Sequence, residues 1–157
     1  MSTPVELDPK EYVEALTILK NIDFFQDVSD ERMKSVLFML QKQTFAPNKI
    51  ILFQGEIANR LFIIRQGSVS ISTKNKGAKI HLADLQAPSY FGEISLLTPT
   101  SATATVTAGE AGAQVLILTH DAMTTLTNTL PDIQKRIQTV IDNRLASKKQ
   151  AKDIQES

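Results

Sequence analysis

Two stretches of sequence decide the fold of this chain. Residues 45–73 have the sequence FAPNKIILFQGEIANRLFIIRQGSVSIST, and residues 91–108 have the sequence FGEISLLTPTSATATVTA. Both contain short apolar runs or segments in which polar and apolar residues alternate, and Gly55 and Gly67 stand at their expected turns. This pattern is typical of β-strands joined by tight turns.

The same period of two predicts a series of short strands between residues 42 and 118. The predicted strands are 49–53, 60–65, 68–73, 79–85, 102–108 and 115–118. In residues 102–108, three alanines and Val106 share one face, and three threonines occupy the other. Many short strands without long helices between them favour a closed barrel or a jelly roll.

Helical periodicity precedes the strands. Residues 10–22 carry apolar side chains at helical spacing, namely Val13, Leu16, Leu19 and Ile22. Residues 29–41 predict a second helix, with Ser29 as its N-cap and Asp30 in its first turn, where an acidic side chain favours the helix dipole. Its expected buried stripe consists of Met33, Val36, Leu37 and Leu40.

Helical periodicity also follows the strands. Residues 121–130 predict one helix, and residues 131–149 predict a longer one that begins at Pro131, a residue suited to a first helical turn. Apolar side chains step by four and three along both: Leu126, Leu130, Ile133, Ile137 and Val140. Such a seam either docks on the strands of its own chain or forms a homodimer or partner interface.

Length and composition limit the classes of protein that this chain can represent. Its 157 residues fit one domain, which we place at residues 10–149 between tails 1–9 and 150–157. The formal net charge is zero, which disfavours general binding to nucleic acid. There is no cysteine, no signal peptide at the start and no apolar run long enough to span a membrane. These features predict a cytoplasmic protein without disulfides.

The order of these elements around Phe91-Gly92-Glu93 resembles the cyclic-nucleotide-binding domain family, which includes the catabolite activator protein, kinase regulatory subunits and gated channels. The resemblance covers about residues 16–147. It implies an α+β, mainly β fold: an eight-stranded β-roll (a double-stranded β-helix, jelly-roll-like) flanked by N-terminal helices and a long C-terminal helix. It also implies a non-enzymatic regulatory module, with no catalytic residues.

The resemblance implies a ligand site over the sheet. In this family a short helix after the Phe-Gly-Glu segment offers N–H groups to the cyclic phosphate, as helix N-termini do for anions. Glu93 matches the glutamate that accepts from the ribose 2′-hydroxyl; the alternative is that it caps its own helix. The residues carried over to the site are Phe91, Gly92, Glu93, Ile94, Ser95, Ala102, Thr103, Val69 and Leu82.

The chain departs from the family at one position. Where the family has an arginine that forks onto the phosphate, this sequence has Ala102, followed by Thr103 at the small-residue position. No Lys or Arg occurs between Lys79 and Lys135, so the whole phosphate segment lacks a cation. Arg144 or Lys148 of the C-terminal helix could approach a ligand instead.

Two interpretations follow. Either the pocket still binds cyclic AMP, cyclic GMP or a related nucleoside, or the fold serves as a protein-interaction module with a degenerate phosphate site. We expect a protein partner, or a homodimer through the C-terminal helix, and neither nucleic acid nor membrane as a partner. His81, expected on the surface, and His120 are the only histidines. A metal site built from two histidines and a carboxylate is therefore disfavoured.

Overall fold

The computed structural model describes residues 3–22, 25–26, 28–92, 100–129, 131–139 and 142–143. Its strands are β1 Val5–Glu6, β2 Gln41–Phe45, β3 Ile50–Leu52, β4 Ile57–Ala58, β5 Arg60–Asn75, β6 Ala78–Gln86, β7 Tyr90–Phe91, β8 Thr100–Ser101 and β9 Thr105–Thr119. Its helices are α1 Tyr12–Lys20, preceded by a 3₁₀ turn at Pro9–Glu11, α2 Asp30–Met39 and α3 His120–Thr129. Residues 131–139, here called α4, and residues 142–143 are also helical. The predicted mainly β class with helices at both ends is confirmed.

The strands form two antiparallel sheets. The larger has the order β1-β2-β9-β5-β6, with β3 paired to β9 and β7 paired to β5, and the smaller consists of β4 and β8. Over the described residues, β1 and β6 lie at the ends of the larger sheet and no pairing closes it into a barrel. Of the two architectures left open, the jelly-roll type is therefore the correct one. The described residues make nine strands, whereas eight were expected. The difference arises because short strands such as β1 have no clear sequence pattern.

The central strand β5 separates two hydrophobic cores. Leu61 and Ile63 belong to the core under the helices, whereas Phe62 and Ile64 belong to the core inside the roll. Residues 115–118 of β9, which pair with β5, divide in the same way between the two cores. Apolar runs buried on both faces lack the alternation of a half-buried strand, which explains their continuous hydrophobic sequence.

One predicted turn lies inside a long strand. Residues 60–65 and 68–73 belong to the single strand β5, and Gly67 lies within it at a register shift against β9. Gly67 has a φ of +82°, and a Cβ there would lie 2.2 Å from the carbonyl oxygen of Gly112. The prediction that Gly67 marks a turn between strands is therefore wrong. A bulge with a close backbone approach requires glycine for the same reasons as a turn.

The edge strand β6 exposes two of its apolar residues. Ile80 is 44% exposed and Leu82 is 56% exposed. A register shift opposite Ile71 and Ser72 leaves Leu82 without a directly paired residue. The expected inner position of Leu82 is therefore wrong, whereas the expected surface position of His81 is confirmed by its 57% exposed side chain.

The N-terminal helices pack on the sheet. Ser29 caps α2 by accepting a hydrogen bond from the backbone N–H of Arg32, and the four predicted core residues of this helix are buried. In α1 the buried residues are Ala15, Ile18 and Leu19, while Val13 is 76% exposed, contrary to the prediction. The first nine residues also include ordered structure, since β1 pairs with β2.

The predicted C-terminal seam packs on its own chain where it is described. Leu126, Ile133 and Ile137 are 1%, 1% and 0% exposed, and all three belong to the core under the helices. Their burial rules out an exposed dimer seam at these three side chains, so that part of the seam prediction is corrected. The side chains of Leu130 and Val140 lie outside the described part of the chain, as does most of the predicted helix beyond residue 143.

An ion cluster joins the start of α1 to the sheet. Lys42 donates to Glu11 at 2.6 Å, and the guanidinium of Arg65 donates to Glu11 and, at 2.7 Å, to Glu14. The hydrogen bond from Lys42, followed by one from the backbone N–H of Asp8, lowers the pKa of Glu11 from 4.5 to about 2. This cluster ties the helices to strands β2 and β5.

Candidate functional site

A cavity of about 300 Å³ opens into the roll. Its walls come from strands that belong to both sheets: Leu52, Ala58, Ile71, Leu85, Tyr90, Phe91, Gly92, Thr100, Ser101, Ala102, Thr103, Ala104 and Val106. The walls are mostly apolar, and exposed hydroxyl-bearing residues at 100, 101 and 103 lie at the rim. An apolar cavity with a few polar groups is typical of a small-molecule site.

Ala102 is held in the cavity wall by its backbone. Its N–H donates to the carbonyl oxygen of Glu56 at 2.8 Å, and its own carbonyl oxygen accepts from the N–H of Gly55 at 2.8 Å. The side chain of Glu56 in turn accepts from the N–H of Phe53 at 2.6 Å, which closes the turn. Ala102 is 8% exposed, so its methyl group faces the interior.

Phe91 and Gly92 form another part of the wall. Phe91 pairs with Phe62 across β7 and β5, and the two rings stack with centroids 4.9 Å apart and planes inclined by 12°. Gly92 has a φ of +89°, and a Cβ there would lie 2.4 Å from the carbonyl oxygen of Arg60. Only glycine combines this backbone conformation with such a close approach.

The cavity has no positive charge on its described walls. No Lys or Arg is among the described residues that line it. The rim threonines and Ser101 offer hydroxyl groups, which can donate to a phosphate but do not neutralise it. The position that the family resemblance assigns to an arginine carries only the methyl group of Ala102.

The structure brings together part of the predicted site. Phe91, Gly92, Ala102 and Thr103 all line the cavity. Val69 is 1% exposed and belongs to the core inside the roll, next to the cavity but not in its lining, and Leu82 lies on the exposed edge strand. Their role as ligand contacts is unsupported by this placement. The remaining predicted positions lie outside the described residues, namely Glu93, Ile94, Ser95, Arg144 and Lys148.

Several cavity residues were not singled out as site residues from the sequence. Ala104 and Val106 follow Ala102 at alternate positions, so the predicted alternation did place them on the same face. Leu52, in contrast, reaches the cavity through the pairing of β3 with β9, and Ala58 through the pairing of β4 with β8. These are contacts between distant parts of the chain, for which the local sequence carries no signal.

In the described stretches of the chain, no helix has the length and apolar character needed to cross a membrane. This finding is independent of the cavity and adds no information on its ligand.

Solved structures share this fold. A cyclic nucleotide-binding domain from Methylobacillus flagellatus superposes with a TM-score of 0.79 at 18% identity, covering 99% of this chain and 89% of that one. The catabolite activator protein of Thermus thermophilus superposes with a TM-score of 0.75 at 24% identity, covering 86% of this chain and 63% of that one. At these identities the likeness concerns the fold.

Curated relatives resemble the chain in sequence. A cGMP-dependent protein kinase of Eimeria tenella is 30% identical over 105 residues, which is 67% of this chain and 10% of the kinase. A potassium/sodium hyperpolarization-activated cyclic nucleotide-gated channel 4 of Oryctolagus cuniculus is 32% identical over 129 residues, which is 82% of this chain and 10% of the channel. The chain thus spans about a tenth of the length of these two relatives.

The family model described as "Cyclic nucleotide-binding domain" matches residues 42–129. The match runs from β2 to the end of α3 and includes both walls of the cavity. It agrees with the resemblance inferred from Phe91-Gly92-Glu93 and the two glycines. This chain therefore belongs to the cyclic nucleotide-binding domain family.

Proposed function

We propose that this chain is a non-enzymatic regulatory module that acts on another protein through its helices, and that its phosphate site is degenerate. One observation carries the proposal: the cavity is formed where the family resemblance places the nucleotide, but Ala102 and the other described wall residues bring no cation to it. The fold is thus retained without the charge that a cyclic phosphate requires.

The missing charge has a large effect on affinity. A forked hydrogen bond between arginine and phosphate contributes about 1.5–3 kcal/mol. Its loss weakens binding by roughly 10- to 100-fold, since every 1.4 kcal/mol is tenfold. Hydroxyl groups at the rim provide hydrogen bonds but no positive charge, so a cyclic mononucleotide is expected to bind weakly.

The helices offer a surface for a protein partner. Phe38 of α2 is 69% exposed, and Val13 of α1 is 76% exposed. Together with Tyr12, Leu16 and Leu37 they line an apolar groove between α1 and α2. The relatives named above are a protein kinase and a channel. By analogy, the regulated protein would be a separate chain or another part of the same one.

A ligand sensor is the second candidate, and the open cavity favours it. A volume of about 300 Å³ with apolar walls and a hydroxyl rim suits a nucleoside-like ligand such as cyclic AMP, cyclic GMP or an uncharged nucleoside. Such a ligand would regulate the partner only through a different affinity for two arrangements of the helices.

Calorimetry separates the two candidates. The unmodified protein is titrated with cyclic AMP, cyclic GMP, adenosine and guanosine under the same conditions. A degenerate site predicts no micromolar binding of either cyclic nucleotide. Micromolar binding of cyclic AMP would contradict the degenerate site and establish the sensor; binding of the nucleosides alone would establish a sensor that does not read the phosphate.

A further inference from the structure

Arg60 is the first residue of β5 and lies between two parts of the cavity wall. Ala58, two residues earlier, lines the cavity and pairs with Thr100. On the other side, Gly92 also lines the cavity, and its Cα lies so close to the carbonyl oxygen of Arg60 that a Cβ would be 2.4 Å from it. The backbone of Arg60 is therefore adjacent to two parts of the cavity wall.

The side chain of Arg60 lies on the interior side of the sheet. Residues at alternate positions of a strand share a face, so Arg60 shares its face with Phe62 and Ile64. Both of these belong to the core inside the roll. The guanidinium carbon of Arg60 lies over the ring of Phe62, 4.8 Å from its centroid. Phe62 in turn stacks on Phe91 of the cavity wall.

This guanidinium has no ion-pair partner among the described residues. Arg65, five residues further along β5, shows the contrast: it pairs with Glu11 and Glu14 and donates to Gln114. Among the described residues, the Arg60 guanidinium contacts an aromatic face and no acidic group. Such a cation–π contact is weaker than a charge-assisted hydrogen bond. An anion within reach would therefore draw the guanidinium away from Phe62.

We propose that Arg60 supplies the positive charge for an anionic nucleotide bound in the roll cavity, in place of the arginine that the family resemblance assigns to position 102. The ligand class is a nucleotide with a phosphate monoanion, such as a cyclic mononucleotide. A rotation of the Arg60 side chain from Phe62 towards the cavity mouth brings the charge to the ligand. This inference rests on the second candidate function, in which the cavity binds a ligand.

The test compares a charged and an uncharged ligand on matched variants of the full chain. Cyclic AMP and adenosine are titrated by calorimetry into the parent, Arg60→Gln, Arg60→Lys and the double variant Arg60→Gln/Ala102→Arg. Arg32→Gln is the control, because it removes the same charge from α2, where the side chain is exposed and pairs with Asp132. Thermal unfolding of each variant is recorded alongside.

The expected result is specific to charge. Arg60→Gln weakens cyclic AMP binding at least tenfold and leaves adenosine unchanged, Arg60→Lys retains part of the affinity, and Arg32→Gln has no effect. A purely structural role of Arg60 does not predict this difference between cyclic AMP and adenosine, and adding Ala102→Arg to Arg60→Gln restores cyclic AMP binding. Binding of cyclic AMP by the parent also weakens as salt is raised, and this dependence is reduced in Arg60→Gln.

Three results would overturn the inference. If Arg60→Gln binds cyclic AMP like the parent, the sensor stands but Arg60 is not its cation. If Arg60→Gln weakens adenosine as much as cyclic AMP, Arg60 supports the shape of the cavity and not its charge. If the parent binds neither ligand, the sensor function itself fails, and this pattern differs from the other two.

Discussion

The backbone N–H of Ala102 donates to the carbonyl oxygen of Glu56 at 2.8 Å, and this bond fixes the position from which the family's arginine would extend. The proposal of a degenerate phosphate site depends on this position, where the side chain is only a methyl group. A substitution at this position changes the side chain without requiring a different backbone, since both bonds of Ala102 are made by its main chain.

Ala102→Arg is therefore expected to strengthen cyclic AMP binding at least tenfold, because a guanidinium would enter a cavity that has no cation on its described walls. Calorimetry with cyclic AMP measures the change. Ala111→Arg is the matched control, since it adds the same side chain at an exposed position of β9 outside the cavity. An unchanged titration of Ala102→Arg would show that the cavity does not accept the nucleotide.

Gly92→Ala is expected to lower the free energy of unfolding more than Gly77→Ala does. Both glycines have positive φ, +89° and +82°. An alanine in this region is strained by about 1–2 kcal/mol. At Gly77 the new Cβ meets nothing within 4 Å, whereas at Gly92 it would lie 2.4 Å from the carbonyl oxygen of Arg60. Urea unfolding of both variants measures the difference. Equal losses of unfolding free energy would mean that the backbone around Gly92 accommodates the new Cβ without additional cost.

Glu11→Gln is expected to destabilise the protein at neutral pH and to lose its effect in acid. Lys42 and the Asp8 N–H lower the pKa of Glu11 in the folded chain from 4.5 to about 2. A lowered pKa means that the stabilisation is complete above about 4.5 and disappears as the pH falls from there towards 2. Unfolding midpoints across this range test the expectation, with the exposed Glu110→Gln as control. A difference that persists unchanged down to pH 2 would contradict it.

Ile137→Ala is expected to cost about 2–5 kcal/mol of stability, as for other buried large-to-small substitutions. Ile137 is fully buried against its own chain, so the unfolding midpoint should fall equally at all protein concentrations. Denaturation at two concentrations, with light scattering, measures both quantities. Gln134→Ala, on the exposed side of the same helix, is the control. A change of oligomeric state with unchanged stability would instead place Ile137 in an interface.

The fold was largely predictable from the sequence because its strands and helices have clear periods. The alternation in residues 102–108 and the cap at Ser29 both describe local contacts, and both agree with the structure. The predicted burial of Val13 was wrong because this residue has the spacing of a buried one but lies at the edge of the groove between α1 and α2. The predicted inner position of Leu82 was wrong because a register shift against the neighbouring strand cannot be predicted from the sequence of β6 alone.

The candidate site was predictable only where the family motif covers it. Phe91, Gly92, Ala102 and Thr103 line the cavity, as the resemblance implied. The long interval without Lys or Arg was visible in the sequence, but it describes only neighbours along the chain. Arg60 lies outside that interval, and its backbone comes close to Gly92 of the cavity wall. This approach depends on the pairing of β5 with β7.

The two-sided burial of β5 has a mechanical consequence. Phe62 stacks on the cavity wall, and its covalent neighbours Leu61 and Ile63 touch the core beneath the helices. A single peptide unit thus connects a ring that stacks on the cavity wall to side chains in the core under the helices. A small rotation of β5 about its own axis would therefore displace side chains in both cores at once.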